Sequence, residues 1–420
     1  MRVRVAVLAA LVVSATPASA QEPVLVIPAS SRVVTITDGH HVKKDYWYVM
    51  PERSPDVYYV EVPLEPHRVT FTTDRGSAAF DVTYGSRHDF VIRLADGREA
   101  RTQVRAEFRN LLSHRRIGPA PADGVDTIPF TLGDNDKIYL KARLNDGPLL
   151  DVQFDLGAGG SLIKKASVPK VTMAFDGTAR LRNSDGDNEV PSSSRNRLDI
   201  AGLRWENVPF LVADNMTHRE DLLLGNALFQ DKVVEIDYDR MRISVHATRP
   251  ALPGGWTEVE LFLDGVVPFA RGALAIDGVD RAGWFMLDTG AYTSILNSDR
   301  LSAPSKFARE LRRMVGWPRR GPSISIGGRT FEHPNYSVRR YDGDVSALGL
   351  LGNDVLKRFN LVLDNRRGRA YLRPNGRAHD PFRNPERLVI GVAGAAMVAG
   401  GAILARHFRR RRRRRDTPLL

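Results

Sequence analysis

Short apolar runs with strand-like alternation, punctuated by Gly, Pro, Asn and Asp, dominate the chain between residues 21 and 374. Val33-Val34-Thr35-Ile36, Val57-Tyr58-Tyr59-Val60 and Val69-Thr70-Phe71 are rich in β-branched and aromatic residues. They predict a β-rich accessory domain over residues 21–118, with a small β-sandwich as its natural architecture. Pro119 to Gly124 and Pro250 to Gly255 read as linkers, which delimit two further units at 125–249 and 256–374. In the first of these, Thr127–Phe130 and Lys137–Leu144 read as strands. Asn145-Asp146-Gly147 reads as a hairpin turn feeding Val152-Gln153-Phe154. Helical patterning after the second such strand is confined to Pro304–Met314, with the proline in the first turn. The fold class is therefore mainly β.

The two units are one pattern written twice. Asp155-Leu156-Gly157-Ala158 leads to Ser161-Leu162-Ile163, and Asp288-Thr289-Gly290-Ala291 leads to Ser294-Ile295-Leu296. Downstream, Ala201-Gly202-Leu203-Arg204-Trp205-Glu206 matches Gly327-Gly328-Arg329-Thr330-Phe331-Glu332, and Leu223-Leu224-Gly225-Asn226 matches Leu350-Leu351-Gly352-Asn353. From that Gly to the next shared Asp is 12 residues in both copies, at Asp237 and Asp364, and Arg242 then matches Arg369. Three blocks in one order at nearly constant spacing indicate an internal duplication. Each copy ends an apolar strand on an aspartate at the mouth of a Gly turn. Two carboxylates facing each other across a lobe interface cannot both ionise cheaply, so one keeps a proton while the other loses its own. Such a pair can activate a water for attack on an amide carbonyl.

At these residues the chain resembles the aspartic proteases, most closely the retropepsin-like, gag-polyprotein-type aspartyl proteases of bacteria, here as two fused lobes. The resemblance covers roughly residues 125 to 374. It implies a bilobal pair of β-barrels of aspartic-protease type, with Asp155 and Asp288 as a catalytic dyad. Gly157, Ala158, Thr289, Gly290 and Ala291 would support the active-site turns. It places a flap over the cleft within residues 171–200, with Phe175-Asp176-Gly177 at its tip. The interval from the Asp to the Gly-containing block is 46 residues in the first lobe and 39 in the second, so a full flap is expected in the first alone. The implied substrate is an extended peptide, with no metal and no cofactor, and with both lobes in one chain a homodimer is not required. In the family the Thr after each Asp bonds across to the opposite lobe. Leu156 stands where the first lobe would carry that Thr, and losing one such bond costs roughly 1 kcal/mol. Leu156 and the extra domain also motivate an alternative, a non-catalytic envelope binding or scaffold protein on a protease-derived fold.

The ends of the chain address topology. Arg2 and Arg4, the apolar stretch Val5–Val13 and Ala18-Ser19-Ala20 read as a signal peptide over residues 1–20. Residues 388–405 are an uncharged run of 18, long enough to span a bilayer with little tilt, followed by eight arginines between 406 and 415. The expectation is an exported, single-pass membrane protein with its body on the periplasmic or extracytoplasmic side and a basic cytoplasmic tail, 406–420. The run followed by basic residues also resembles a cleaved C-terminal sorting signal. Of the net charge of +12, Arg2 and Arg4 carry two and the tail, less Asp416, carries seven. The body is thus nearly balanced, which argues against a nucleic-acid partner. The chain has no cysteine, which removes disulfides, thiol nucleophiles and thiolate metal sites. His40-His41 lacks partners at ligand spacing, and Asn183-Ser184-Asp185-Gly186-Asp187-Asn188 lacks the Glu of a calcium loop. No H-E-x-x-H, G-x-S-x-G or Walker motif is present.

Overall fold

A computed structural model describes residues 24–382 apart from 40, 48–54, 62–63, 110, 184–185, 277–278, 301–321, 333, 335 and 340–346. The fold is mainly β. The signal-peptide and membrane-run readings, and the helix expected at Pro304–Met314, lie outside the described residues. Among the described residues no helix is long and apolar enough to cross a membrane.

The N-terminal unit has two four-stranded sheets. One runs Leu25–Ala29, Arg87–Leu94, Glu99–Arg105, Asp56–Tyr59; the other runs His41–Tyr46, Val33–Asp38, His67–Thr72, Ser77–Val82. Alternation along the strands points Phe90, Ile92, Val34, Ile36, Phe71 and Val104 into a shared core. Asp38 is the buried exception. It accepts hydrogen bonds from Tyr58 Oη (2.6 Å), Glu61 N (2.8 Å) and His67 Nε2 (2.7 Å), as a buried carboxylate requires. Leu263 of the second lobe completes this core, and His41 sets its ring edge-on to Phe262 at 5.2 Å. Strand His114–Arg116, expected to fall within the accessory domain, instead pairs with Leu203–Trp205 at the edge of the first lobe. His114 packs on Trp205 there, with ring centroids 4.9 Å apart.

The duplication is visible strand by strand. In the first lobe Leu149–Phe154 runs parallel to Leu222–Leu224, which is antiparallel to Ser161–Lys164, which is parallel to Leu203–Ala213. In the second, Val279–Leu287, Ala347–Leu351, Ser294–Asn297 and Tyr336–Arg339 repeat that order and those directions. The matched Ala201-Gly202 and Gly327-Gly328 blocks are two-residue turns with positive φ at both positions: 48° and 82°, then 58° and 73°.

The lobes meet in a six-stranded antiparallel sheet to which each contributes three strands. Asp126–Pro129, Arg242–His246 and Val233–Asp237 come from the first, and Phe359–Asp364, Arg369–Pro374 and Thr257–Asp264 from the second. The central register, Val233↔Asp364 through Ile236↔Leu361, relates equivalent strands about a local two-fold. The shared aspartates at its ends are turn formers. Asp237 Oδ1 accepts from Asp239 N and Arg240 N, and Asp364 Oδ1 accepts from Arg367 N. One apolar core continues through both lobes and this sheet.

Candidate active site

Each aspartate leaves its strand into a turn closed by its own carboxylate. Asp155 Oδ1 accepts from Gly157 N (2.8 Å), and Asp288 Oδ1 accepts from Gly290 N (2.9 Å) and Ala291 N (2.8 Å). The turns are seated by the Leu-Leu-Gly-Asn strands: Asp155 N donates to Leu224 O (2.8 Å) and Asp288 N to Leu351 O (3.0 Å). Gly225 is obligatory in this seat, because a Cβ there would lie 2.9 Å from Asp155 O and 2.7 Å from Ala158 O.

The two turns touch. A Cβ on Gly290 would fall 2.1 Å from Asp155 Oδ2, so the Asp155 carboxylate lies directly on the backbone of the opposite turn. Thr289 Oγ1 crosses the interface, accepting from Leu156 N (2.9 Å) and donating to Phe154 O (3.0 Å). Leu156 has no hydroxyl to return these bonds, and its side chain is fully buried in the core that joins the lobes. Two further links span the lobes in symmetry-related positions. Tyr238 Oη donates to Asn353 Oδ1 (2.8 Å), and Asn365 Nδ2 donates to Asn226 Oδ1 (3.1 Å). Asn353 Nδ2 in turn holds Thr289 O (2.7 Å). Asp155, Gly157, Ala158, Asp288, Thr289, Gly290 and Ala291 are therefore brought together.

Phe175, Asp176 and Gly177 are not part of that cluster, nor are they a tip. The hairpin of Gly177–Asn183 with Gly186–Ile200 pairs Gly177 with Ser192 and Asn183 with Gly186, so the latter pair marks its far end. Phe175-Asp176-Gly177 stands at the base, where Asp176 N donates to Ser192 O (3.1 Å) and Phe175 is exposed. The physical reason is that Thr178, Leu181 and Val190 fit a strand, so pairing runs on past Phe175-Asp176-Gly177. Leu181 of the hairpin is buried with Ala158, Ala213, Met216 and Leu223, so the hairpin packs beside the Asp155 turn.

No protein-family model and no curated protein matches the chain.

Both carboxyl groups are fully buried, and burial raises the pKa of each. Asp288 is pushed well above the ordinary carboxylate range, first by burial and then by the charge of Asp155. For Asp155, burial is opposed chiefly by the charge of Lys137 and by the Gly157 N–H. Asp288 Oδ2 has no hydrogen-bond partner among the described residues. The pair can thus hold one proton and one negative charge in a dry, donor-lined site.

Three neighbours escaped the motif-based reading. Lys137, Gln153 and Glu220 are buried beside Asp155, with Lys137 Nζ donating to Gln153 Oε1 at 3.2 Å. Counting back from the Asn145-Asp146-Gly147 hairpin would have placed Lys137 opposite Asp155. Asp354, next to Asn353, accepts from Ser294 N (3.0 Å) and Ser294 Oγ (2.8 Å), and burial pushes its carboxyl up to about 7. Among the described residues no group of three His, Asp or Glu side chains is placed to hold a metal ion.

Proposed function

We propose that the chain is an aspartic endopeptidase whose two lobes form a bilobal pair of aspartic-protease-type β-barrels, with Asp155 and Asp288 as the dyad. The observation that carries this reading is the contact between two equivalent Asp turns, each seated by an equivalent strand, with both carboxylates buried. A water between them is deprotonated by the ionised aspartate and attacks the peptide carbonyl. The protonated aspartate gives its proton to the carbonyl oxygen; the aspartate that took the water's proton then passes it to the leaving amine as the C–N bond breaks, and the first recovers its own from the gem-diol hydroxyl. Thr289, Gly290, Ala291, Gly157 and Ala158 keep the carboxylates in register. The substrate is an extended peptide, to which the Gly177–Asn183 and Gly186–Ile200 hairpin offers strand-like hydrogen bonds. The protein would act as an exported, single-pass membrane enzyme facing the periplasm or cell exterior, a placement supported by the sequence patterns at 1–20 and 388–405.

The test is cleavage of a mixed peptide library by the full chain from about pH 3 to 7, with Asp155→Asn and Asp288→Asn as controls. Cleavage by the parent, abolished in both variants, is the expected outcome. A folded chain that cleaves nothing at any pH would return the weight to a binding or scaffold role, the reading that Leu156 motivates. Cleavage that persists in Asp155→Asn would remove the first lobe from the chemistry.

A further inference from the structure

The two aspartates face different residues across their sheets. Continuing the register one step beyond the Ile138↔Phe154 pair sets Lys137 against Asp155, and continuing it two steps beyond Phe269↔Met286 sets Val267 against Asp288. The difference extends to their neighbours. Tyr139, Gln153 and Glu220 of the first lobe correspond to Phe269, Met286 and Ala347 of the second, counted through the Asp and Leu-Leu-Gly-Asn blocks. The second lobe's four residues belong to one apolar cluster. The first lobe's four are equally buried, each 3% exposed or less, yet all polar.

A lysine in so dry a place needs compensating charge. Among the described residues its ammonium has one hydrogen-bond acceptor, Gln153 Oε1, a neutral amide. Burial pulls its pKa below the ordinary lysine range, and the negative charges of Asp155 first and Glu220 next oppose that fall. The surrounding charged groups are few. Glu220 lies against Tyr139 Oη at 3.5 Å, and His218 precedes it on the same segment. Arg219 covers the Tyr139 ring at 4.1 Å, and Asp136 next to Lys137 is paired with Lys357 at 2.8 Å.

We propose that Lys137 decides which aspartate is charged, holding Asp155 as the anion and leaving the shared proton on Asp288. This rests on reading the pair as a hydrolytic dyad, and it divides the roles: Asp155 activates the water and Asp288 donates to the carbonyl. Lys137 is a positioning residue that acts through Asp155. A cation at cross-strand distance, in a medium of effective dielectric about 20, shifts an opposing carboxylate by roughly one to two pH units.

The experiment combines pH–activity profiles of the full chain with a carbon-13 carboxyl NMR titration, for the parent, Lys137→Met, Lys137→Arg and Glu220→Gln. Asp155→Asn and Asp288→Asn assign the two steps. Lys137→Met should raise the midpoint of the acid limb by roughly one to two pH units, a tenfold to hundredfold loss of activity at a fixed pH below it. The basic limb should move less, and Lys137→Arg should restore the parent profile. Glu220→Gln removes a negative charge from the same cluster and should move the acid limb the opposite way, which decides the matter even where Lys137→Met fails to fold. An acid step unmoved in the folded variants, or a shift confined to the Asp288 step, overturns the proposal. If no peptide is cleaved, the carboxyl titration still decides the role of Lys137, and that failure belongs to the hydrolase reading alone.

Discussion

Thr289 makes alone a connection that the duplicated pattern would have supplied twice. Its hydroxyl both accepts from Leu156 N and donates to Phe154 O, so the first lobe's turn is tied through its backbone and needs no hydroxyl of its own. Leu156 spends its position on apolar packing, which offsets part of the lost bond. A second asymmetry lies at Asp354, whose counterpart is Ala227. Its carboxyl is pushed up to about 7 by burial, from an ordinary 3.8. Between those two values the folded chain binds a proton that the unfolded chain has released. The group therefore lowers stability as pH rises through that window, with no further change above it. Asp354→Asn keeps an oxygen for Ser294 and cannot ionise. Relative to the parent it should gain stability between about pH 4 and 7, by at most about 4 kcal/mol. Thermal melts of both proteins across that range check the sign, and a gap that does not widen with pH would contradict it.

The turns separate what a sequence states from what it leaves implicit. Ala201-Gly202 and Gly327-Gly328 occupy the same left-handed geometry, and Ala201 is the one residue of the four with a side chain to strain. Ala201→Gly should stabilise the chain by about 1 kcal/mol, read as a higher urea midpoint at unchanged slope. The reverse change, Gly327→Ala, should destabilise, since its Cβ would lie 2.7 Å from Leu372 Cβ. These blocks, the Asp turns and the Leu-Leu-Gly-Asn strands were legible because backbone geometry there admits few residues, and those residues recur. The hairpin continues past Phe175-Asp176-Gly177 to the Asn183↔Gly186 pair, because any Asp-Gly within a polar stretch carries a turn signal and only cross-strand pairing chooses between them. Lys137 was hidden for the opposite reason. Its meaning lies in register, and as a residue type it looks like an ordinary strand start. The His114–Arg116 edge strand has no alternation to announce it; its place depends on Trp205, about ninety residues on.

At the scale of the whole molecule, three bodies hold one another. The N-terminal unit docks on the second lobe through Leu263, through Leu64 N donating to Arg366 O (3.0 Å), and through Tyr84 beneath the Arg366 guanidinium (3.9 Å). Its outgoing strand then joins the edge of the first lobe, so the unit bridges both. The lobes are themselves pinned by the buried pair of Lys357 and Asp136. Lys357→Met should cost about 3–5 kcal/mol by removing the cation that faces a buried carboxylate, and Lys357→Met with Asp136→Asn should recover most of that. A denaturation cycle over the two singles and the double checks this, and simple additivity would contradict it. The Pro250–Gly255 connection has a further consequence. In a homodimer with this two-fold, one codon would serve both sides of the aspartate pair, and any residue opposite one carboxylate would stand opposite the other. Joining the halves in a single reading frame gives each side its own codon. Thr289 against Leu156 and Lys137 against Val267 are differences that such an inheritance can hold and a homodimer cannot.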